Sequence, residues 1–418
     1  MDYQVEEISD FDRFTTLEKE WNALLAAAPI NAPFLRHEWF RIWWKAFGEG
    51  KRRMAILTVR AQGGALVAIA PLMEERGFRV GIPCRIWTSL CNDHSCRFDF
   101  ILADLSEEAR AGIFKALTDY LSARRPRIHF LELQDLPADS PTLTHLTAAS
   151  GRGGRRLGMR PSLETPILPM QGKWSSYFES VSGNLRRNLR RRRRQLEEQG
   201  KVALVCVTGD SRDGGTAGLI PHLEEGFRIE AMAWKGAAGT AIDGNGGWSE
   251  FYSEWAHTAA ERGWLRLYFL KLDDRPIAFY YTLVYDQKLY YLKLGYDPAY
   301  ARYSPGILLH QEILSAAFQE GLTELDFLGP RMAWKEDWTA QLRPHLWLYL
   351  FEGGMIPRAI YLIKFKLFPY LREISWLTRL QRRLLRKDAF GVSAKPATEP
   401  LPEAPFERTA EAVGKEAA

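Results

Sequence analysis

The order of predicted elements favours an α/β (α+β) fold with two modules of similar design. Residues 54–133 read as hairpin, strand, helix and strand, and residues 265–328 repeat that order. The chain has 418 residues and is 46% hydrophobic, which is enough apolar material for two cores. Because the order of elements repeats while the residues do not, we expect two mixed sheets flanked by helices, produced by duplication of one module.

The first module is predicted to span residues 1–150. Its early helical patterns carry four aromatic residues that indicate a buried packing face: Trp39, Trp43, Trp44 and Phe47. Two alternating strands about Gln62–Gly64 predict a hairpin. The strands at Ile86–Leu90 and Phe98–Leu102 flank a polar loop, and Ser106 is placed to cap the helix that follows. A further strand is predicted at Ile128–Leu133.

Residues 151–200 are interpreted as a basic linker followed by an arginine-rich helix. Residues 150–162 contain four arginines and four glycines, which is typical of a loop. The helix that follows has seven arginines between Arg186 and Arg194 and can be capped by Ser182 or Asn184. Seven like charges repel one another, so an anionic partner is expected, either a sugar-linked phosphate or RNA. The run lacks interleaved aromatic residues, which argues against base stacking.

The second module is predicted to span residues 201–350, and the stretch 290–328 is its centre. A strand at Tyr290–Tyr296 leads into a turn that contains Arg302 and Gly306, and a helix then runs from Ile307 to Gly321. The free N–H groups and the dipole at the start of a helix favour an anion, and Arg302 would add positive charge. An ordinary strand–turn–helix connection remains the alternative. The turn is neither a Walker A loop nor a GxGxxG loop.

The C-terminal part of the chain has two predicted segments. Residues 355–387 alternate apolar and basic residues at helical spacing, with nine Lys or Arg and one acid. Such a helix can lie on an anionic membrane or pack on its own protein, and both remain open. Residues 388–418 are predicted to be a disordered tail. We expect a cytoplasmic protein because no signal peptide or long apolar run is present, and peripheral contact with the inner membrane stays open.

The four cysteines predict neither a disulfide framework nor a metal site. Cys91, His94 and Cys96 lie close together in the sequence, but no second Cys or His pair completes a set of four ligands. No metal is therefore expected.

The sequence resembles a known family in several blocks that follow one another in order. These blocks are LEKEWNALL, PFLRHEWFRIWW, the hairpin that ends in VAIAPL, SGNLRRNLRRRRRQLEEQG, RPIAFYYTLVYDQKLYYLKLGYDPAYARYSPGILLHQEIL and DFLGPRMAWKEDW. Over residues 10–345 the chain resembles the CelD/BcsL family of acetyltransferases, which is linked to cellulose and exopolysaccharide production in bacteria. That family belongs to the GNAT superfamily. It is similar in layout to the FemABX aminoacyl-ligases, which have two GNAT-like modules.

The resemblance implies acetyl-CoA or another acyl-CoA as the donor. Its thioester would lie beside the strand that begins at Tyr290, where backbone N–H groups around Leu292 and Leu294 would polarise the carbonyl. The implied phosphate-binding residues are Arg302, Tyr303, Ser304, Gly306 and Ile307. This segment departs from the [RQ]xxGx[GA] pattern of GNAT enzymes because it lacks the first glycine and the final small residue, which leaves the identity of the acyl donor open.

Three residues of the second module are candidates for catalysis. Asp326 is the candidate base, and a solvated acid at the end of a strand is the alternative. His310 is a second candidate, against a core or surface histidine. Lys335 would neutralise donor phosphates or the developing oxyanion, against an ordinary surface lysine. The candidate substrate-binding residues are Asp93, His94, Asp99, Arg186 and Arg190.

The sequence therefore supports three functional hypotheses. The first is a GNAT-type N- or O-acyltransferase that moves an acyl group from acyl-CoA to a sugar or sugar-nucleotide acceptor. The second is a FemABX-like aminoacyltransferase that uses aminoacyl-tRNA, with the arginine helix as its RNA contact. The third is a non-catalytic accessory protein of a polysaccharide synthase at the membrane surface.

Overall fold

The computed structural model describes residues 3–92, 95, 97–150, 154–210, 215–232 and 247–372. Its strands are β1 (Tyr3–Ile8), β2 (Arg53–Met54), β3 (Ile56–Ala61), β4 (Leu66–Ala70), β5 (Leu72–Arg79), β6 (Ile82–Ser89), β7 (Ile101–Leu102), β8 (Phe130–Pro137), β9 (Arg156–Pro169), β10 (Val202–Val207), β11 (Leu265–Leu272), β12 (Arg275–Tyr285), β13 (Lys288–Tyr296), β14 (Glu324–Asp326) and β15 (Leu342–Phe351). Its α-helices are α1 (Phe11–Thr15), α2 (Glu18–Ala26), α3 (His37–Trp43), α4 (Glu107–Ala123), α5 (Pro141–Ala149), α6 (Trp174–Ser180), α7 (Gly183–Glu197), α8 (Leu219–Met232), α9 (Trp248–Glu261), α10 (Pro305–Gln319), α11 (Ala333–Glu336), α12 (Met355–Leu362) and α13 (Phe368–Arg372). Short 3-10 segments lie at Pro33–Leu35, Thr216–Gly218 and Pro298–Tyr303, and π segments at Trp44–Gly48 and Ile363–Leu367.

The strands form a small sheet and a large one. The small sheet has the order β1-β3-β4-β7, and the eleven-stranded sheet has the order β10-β11-β12-β13-β14-β9-β15-β8-β6-β5-β2. Strand β9 pairs with both β14 and β15, and β15 pairs with β8. Because β8 belongs to the first half of the chain and β14 to the second, the two halves share one sheet.

Strand β9 corrects the predicted loop at residues 150–162. Residues Arg156–Pro169 form one continuous strand. The guanidinium of Arg156 lies 5.6 Å from the centre of the Tyr361 ring, and that of Arg160 lies 5.9 Å from the centre of the Trp347 ring. Arginines that stack on aromatic rings can occupy a strand, and the rings come from distant parts of the chain. The prediction of a linker is therefore wrong over this strand.

The repeated order of elements is present in the structure. Strands β6 and β8 pair in parallel over three residue pairs, and so do β13 and β14. These are the parallel pairings between described strands. Helix α4 connects the first pair and α10 the second. The predicted α/β fold, with mixed sheets flanked by helices, is confirmed.

Most locally encoded elements also agree with the sequence. The hairpins β3–β4 and β11–β12 form about the predicted turns, and the side chain of Ser106 caps α4. The predicted strand Phe98–Leu102 is shorter, because only Ile101–Leu102 pairs as β7. Phe98 and Phe100 are buried in the core beside this strand.

Helices from the two halves pack against each other in one core. The Trp39 ring of α3 makes edge-to-face contacts with Phe251 and Trp255 of α9, each with ring centres 5.0 Å apart. Trp39 and Trp43 are fully buried, and Trp44 is nearly so. The predicted aromatic packing face is therefore confirmed, and its partner is the second half of the chain.

The C-terminal helices cover one face of the large sheet. Ile360 of α12 is buried, and the Phe365 ring lies so close to Gly158 that a Cβ there would be 2.4 Å from it. The opposite side of this segment is exposed at Met355, Leu362 and other apolar residues. Residues 373–387 and the predicted tail 388–418 lie outside the described residues. Within the described ranges, no helix has the length and apolar character required to cross a bilayer.

Candidate active site

The parallel strands β13 and β14 separate shortly after they meet. Their last residue pair is Tyr290 with Asp326, and β13 continues to Tyr296. The register against β12 shifts between Tyr281 and Thr282, which leaves Leu292 as the extra residue of a β-bulge. Beyond Tyr290, β13 therefore has no strand on its β14 side among the described residues. This opening is the candidate donor cleft, and the predicted residues Leu292 and Leu294 lie along it.

The turn after β13 brings a helix N-terminus to the end of this cleft. The 3-10 segment Pro298–Tyr303 leads to Ser304, which has φ of 49°, and α10 begins at Pro305. Backbone oxygen of Ser304 accepts from the N–H groups of the third and fourth helical residues. In the described part of the chain, the N–H of Gly306 has no protein acceptor. The first turn thus retains a donor and its dipole for an anion.

Helix α7 lies beside this turn. Arg192 Nη1 donates to Ser304 Oγ at 2.6 Å. Burial, with a smaller contribution from neighbouring Arg191, lowers the pKa of Arg192 below its usual value. Arg192 is thus a partly buried cation beside a helix N-terminus, where an anionic ligand would be stabilised. The predicted residue Arg302 is also in this turn, where its guanidinium lies over the Tyr303 ring and donates to the Tyr303 hydroxyl.

The other arginines of α7 fall into two groups. Arg193 pairs with Glu197 and Glu312, and Arg186 donates to the backbone oxygen of Val181. Four arginines are exposed and have no carboxylate within 4.0 Å among the described residues: Arg187, Arg190, Arg191 and Arg194. The two predicted substrate-binding residues are therefore divided, since Arg186 is partly buried and Arg190 faces solvent.

Asp326 is buried at the point where the cleft opens. Its carboxylate accepts from Arg97 Nη2, from Arg343 Nη1 at 2.9 Å and from the backbone N–H of Leu328 at 2.9 Å. Burial alone would raise the pKa of Asp326, but the charges of Arg97 and Arg343 outweigh it and hold the pKa below its usual value. The group is thus ionised and held by two cations, which makes it a weak proton acceptor.

Two further groups complete this cluster. Arg97 Nη1 donates to His345 Nε2 at 2.6 Å, because burial and the charge of Arg97 lower the His345 pKa to about 3 and keep the ring neutral. Arg343 also pairs with Glu324 at 3.1 Å. The cluster joins a loop of the first half to β14, which borders the cleft, and to β15, which lies two strands away from β14.

Lys335 holds the chain just after β14. Its Nζ donates to the backbone oxygens of Leu328 at 2.8 Å and Pro330 at 2.9 Å. Lys335 is 4% exposed, so the structure differs from the surface lysine that was the alternative interpretation. Leu328 is thus held at both backbone groups. Its carbonyl oxygen accepts from Lys335, and its N–H donates to the carboxylate of Asp326.

His310 lies on the other face of the sheet, inside an aromatic cluster. Its Nδ1 is 2.9 Å from the Tyr291 hydroxyl, and its ring centre is 4.6 Å from that of Trp338. Burial lowers the pKa of His310 to about 3, so the ring is neutral and accepts from Tyr291. The structure therefore places His310 apart from Asp326 and Lys335, as a core histidine.

The candidate residues of the first half are only partly described. Asp93 and His94 lie outside the described residues, as does Cys96. Asp99 is buried, and its Oδ1 accepts from Ser140 Oγ at 2.9 Å and from the Phe100 N–H at 2.8 Å. Burial raises the pKa of Asp99 to about 6. Asp99 therefore presents no exposed carboxylate oxygen to an acceptor substrate.

The sequence analysis missed three arginines that shape this site. Arg97 ends the predicted polar loop, Arg343 lies on a strand that was not predicted, and Arg192 is one of seven in its run. The alternation in residues 342–351 could have revealed β15. No local signal distinguishes Arg97 or Arg192 from the other arginines, because their partners are distant in sequence.

Comparisons with known proteins match the part of the chain that contains this site. Residues 183–336 match a family model described as an acetyltransferase (GNAT) domain. The match includes α7, the arginine-rich helix that the sequence analysis placed before the second module. A sequence comparison with functionally curated proteins finds no match.

Two solved structures resemble the whole fold. FemX is 13% identical, with a TM-score of 0.57 over 86% of this chain and 99% of FemX. The C-terminal domain of a protein named as a lysylphosphatidylglycerol synthetase from Agrobacterium fabrum is 12% identical, with a TM-score of 0.50 over 83% of this chain and 95% of that chain. At these identities the likeness concerns the fold alone. The chain has a GNAT-like fold and carries a GNAT acetyltransferase domain over residues 183–336, and its activity class is acyl transfer.

Proposed function

We propose that the second half transfers an acyl group from acyl-CoA to the amine or hydroxyl of a sugar or sugar-nucleotide acceptor. The observation that carries this proposal is the Arg192–Ser304 contact at the start of α10, beside the opening between β13 and β14. Donor phosphates would bind at Ser304–Ile307 and Arg192, and Arg302 is close enough in sequence to add charge. The acyl-CoA donor follows from the GNAT domain match, and the acceptor class from the family resemblance, with exopolysaccharide or cellulose production as its setting.

The reaction would run in the cleft without a covalent enzyme intermediate. The acceptor amine or hydroxyl attacks the thioester carbonyl, the C–S bond breaks, and the acceptor proton neutralises the departing thiolate directly or through water. The backbone N–H of the bulge residue Leu292 would stabilise the oxyanion, as the family resemblance implies. Asp326 and His310 were candidates for moving the proton, but one is ionised between two arginines and the other is buried. We therefore assign positioning roles to Asp326 and Lys335. His310 accepts a hydrogen bond from the Tyr291 hydroxyl and so holds that side chain in place.

An acetyl-transfer assay tests this proposal. The full chain is incubated with acetyl-CoA and a panel of hexosamines and nucleotide-linked hexosamines, and released thiol and acetylated product are both measured. The proposal predicts equimolar thiol and product that depend on the acceptor. Thiol release without any acetylated product from these acceptors would exclude the sugar acceptor class.

The exposed arginines of α7 favour a second candidate, an aminoacyltransferase that uses aminoacyl-tRNA. Arg187, Arg190, Arg191 and Arg194 have no acidic partner in the described chain and lie on the helix that contacts the donor turn. Such a surface suits a long polyanion, and each phosphate contact adds to the salt dependence of binding. Replacing these four residues by Ala should reduce tRNA affinity and the slope of affinity against salt concentration. If wild-type binding to tRNA is weak and independent of salt, this candidate fails.

The C-terminal helices support a peripheral contact with an anionic membrane. Among the residues that the structure describes, five of the ten exposed large apolar side chains lie on α12, α13 and the π segment between them: Met355, Ile356, Leu362, Leu367 and Tyr370. Residues 355–372 also contain four Lys or Arg and no acid. Apolar side chains with basic neighbours suit the interface of an anionic bilayer. An acceptor at the membrane surface would then lie within reach of the protein.

A further inference from the structure

Arg97 connects the first half of the chain to the cleft of the second half. It follows β6, and its guanidinium bridges His345 of β15 and Asp326 of β14. Arg97 is 8% exposed and Asp326 is 1% exposed, so this contact is almost free of solvent. A buried ion pair of this kind has one preferred geometry, since either partner alone would be an unpaired buried charge.

The carboxylate of Asp326 also contacts the residues that follow it in the chain. Its Oδ1 accepts the N–H of Leu328 at 2.9 Å. Leu328 has φ of 45° and Gly329 has φ of 67°, so two consecutive residues adopt the left-handed conformation. Leucine rarely adopts it, and the surrounding contacts must hold it there. Asp326 holds the N–H of Leu328, and Lys335 holds its carbonyl oxygen.

This bend starts where the cleft opens. Asp326 is paired with Tyr290, and β14 ends at that pair while β13 continues. Residues 328–330 therefore leave the sheet on the side of β13 that has lost its neighbour. The donor turn at Ser304 lies at the other end of β13, and the hydrogen bonds of Arg97 within the described chain go to His345 and Asp326 instead.

We propose that Arg97 is a positioning residue for acyl transfer: through Asp326 it fixes the bend at residues 328–330 and so sets the wall of the cleft opposite β13. The proposal rests on the function proposed above. In this proposal, a residue of the first half of the chain positions the cleft in which the second half transfers the acyl group. It also separates two steps, because donor phosphates bind at α10 while the reacting carbonyl is placed beside the bend.

Two variants test this proposal against a matched control. Arg97→Met removes the guanidinium, and Arg97→Lys keeps a charge without the fork that reaches two partners. Arg124→Met is the control. Arg124 is equally buried, with 7% of its side chain exposed against 8% for Arg97, and it pairs with Glu7 and Glu74 away from the cleft.

Amide hydrogen exchange is the readout that does not require activity. Exchange at residues 326–329 should rise at least tenfold in Arg97→Met, and less in Arg97→Lys, while Arg124→Met leaves it unchanged. Equal exchange in wild type and Arg97→Met, or an equal increase in Arg124→Met, would overturn the proposal. If Arg97→Met does not fold, Arg97→Lys supplies the same comparison.

Kinetics with acetyl-CoA and a hexosamine provide the second readout. In Arg97→Met, kcat should fall at least tenfold while the Kd for CoA changes less than twofold, whereas a merely structural loss would affect Arg124→Met equally. Unchanged kcat in Arg97→Met would overturn the positioning role. Absence of CoA binding in wild type would instead reject the proposed function, and the exchange experiment would still decide whether Arg97 fixes the bend.

Discussion

Tyr290 and Asp326 form the last residue pair between β13 and β14, and the strands separate immediately beyond them. The same Asp326 carboxylate binds Arg97 from the first half of the chain and Arg343 from β15. The opening of the cleft is therefore tied to a buried ion cluster that spans 229 positions in sequence between Arg97 and Asp326. The large sheet and this ion cluster thus bring residues from both halves of the chain together beside the candidate cleft.

Replacing Asp326 tests how much this cluster contributes to the free energy of unfolding. Asp326→Asn removes the charge, leaves Arg97 as a buried cation without a carboxylate partner and leaves Arg343 with Glu324 alone. We expect a loss of about 3–5 kcal/mol in the free energy of unfolding, measured by urea denaturation at pH 7. The control is Asp119→Asn, since Asp119 forms an exposed pair with Lys115 and should lose less than about 1 kcal/mol.

The pH dependence of the same variants gives an independent check. Burial opposes ionisation of Asp326, but its two arginines lower its pKa below the usual value. Its contribution to stability is therefore present above the pKa of the unfolded chain and is lost as pH falls through the lower folded pKa. Asp326→Asn should lack this acid-dependent component. Parallel curves of stability against pH for wild type and variant would contradict the assignment.

His310 predicts a second acid-dependent component with a different window. Burial lowers its pKa to about 3, whereas an unfolded histidine titrates near 6.5. Between these values the unfolded chain binds more protons, so stability should fall as pH drops from about 6.5 towards 3, by at most about 1.4 kcal/mol per pH unit. His310→Gln keeps an acceptor for Tyr291 and removes the titration. Its stability should fall less steeply over this range, and an unchanged slope would count against a neutral buried ring.

Elements defined by neighbouring residues could be predicted from the sequence. The β11–β12 hairpin, the helix capped by Ser106 and the strand–turn–helix around Ser304 depend on local periodicity and turn residues. Strand β9 could not be predicted, because its arginines are stabilised by rings of Trp347 and of the C-terminal helices.

In the candidate site, too, features set by neighbouring residues could be predicted, whereas contacts between residues distant in sequence could not. The position of Asp326 on the strand that follows the helix was predicted, as was the turn that leads into the helix at Ser304. Whether Asp326 is a base or a buried ion-pair partner depends on Arg97, and no periodic pattern links these residues. For the same reason, the run of arginines was evident, but the contact of Arg192 with Ser304 was not.

Gly295 tests the packing of helix α8 on the strand that borders the cleft. A Cβ at this position would lie 2.6 Å from Cα of Glu230, which is backbone and cannot swing away. Gly295→Ala should lower the free energy of unfolding by about 1–3 kcal/mol because α8 must shift. The matched control is Gly77→Ala in β5, where the nearest atom is 3.9 Å away on the flexible side chain of Arg79. Equal stability of both variants would show that α8 adjusts freely.

The proposed membrane surface can be tested by vesicle sedimentation. We expect the full chain to sediment with vesicles of phosphatidylglycerol and phosphatidylcholine, and less with phosphatidylcholine alone. Leu362→Glu combined with Leu367→Glu should reduce binding at least tenfold, because it places two acids on the exposed apolar side. Leu204→Glu, at an exposed apolar residue of β10, is the control. Undiminished binding of the double variant would exclude this surface.

Isothermal titration of the full chain with CoA and acetyl-CoA tests the central claim most directly. We predict binding with a Kd in the micromolar range, as is common for enzyme substrates. Arg192→Ala should weaken it about tenfold or more, since a hydrogen bond to a charged group contributes about 1.5–3 kcal/mol. Arg194→Ala, at an exposed position of the same helix, should change it less than about threefold. Absence of binding, or equal affinity in wild type and Arg192→Ala, would contradict a donor site at the start of α10.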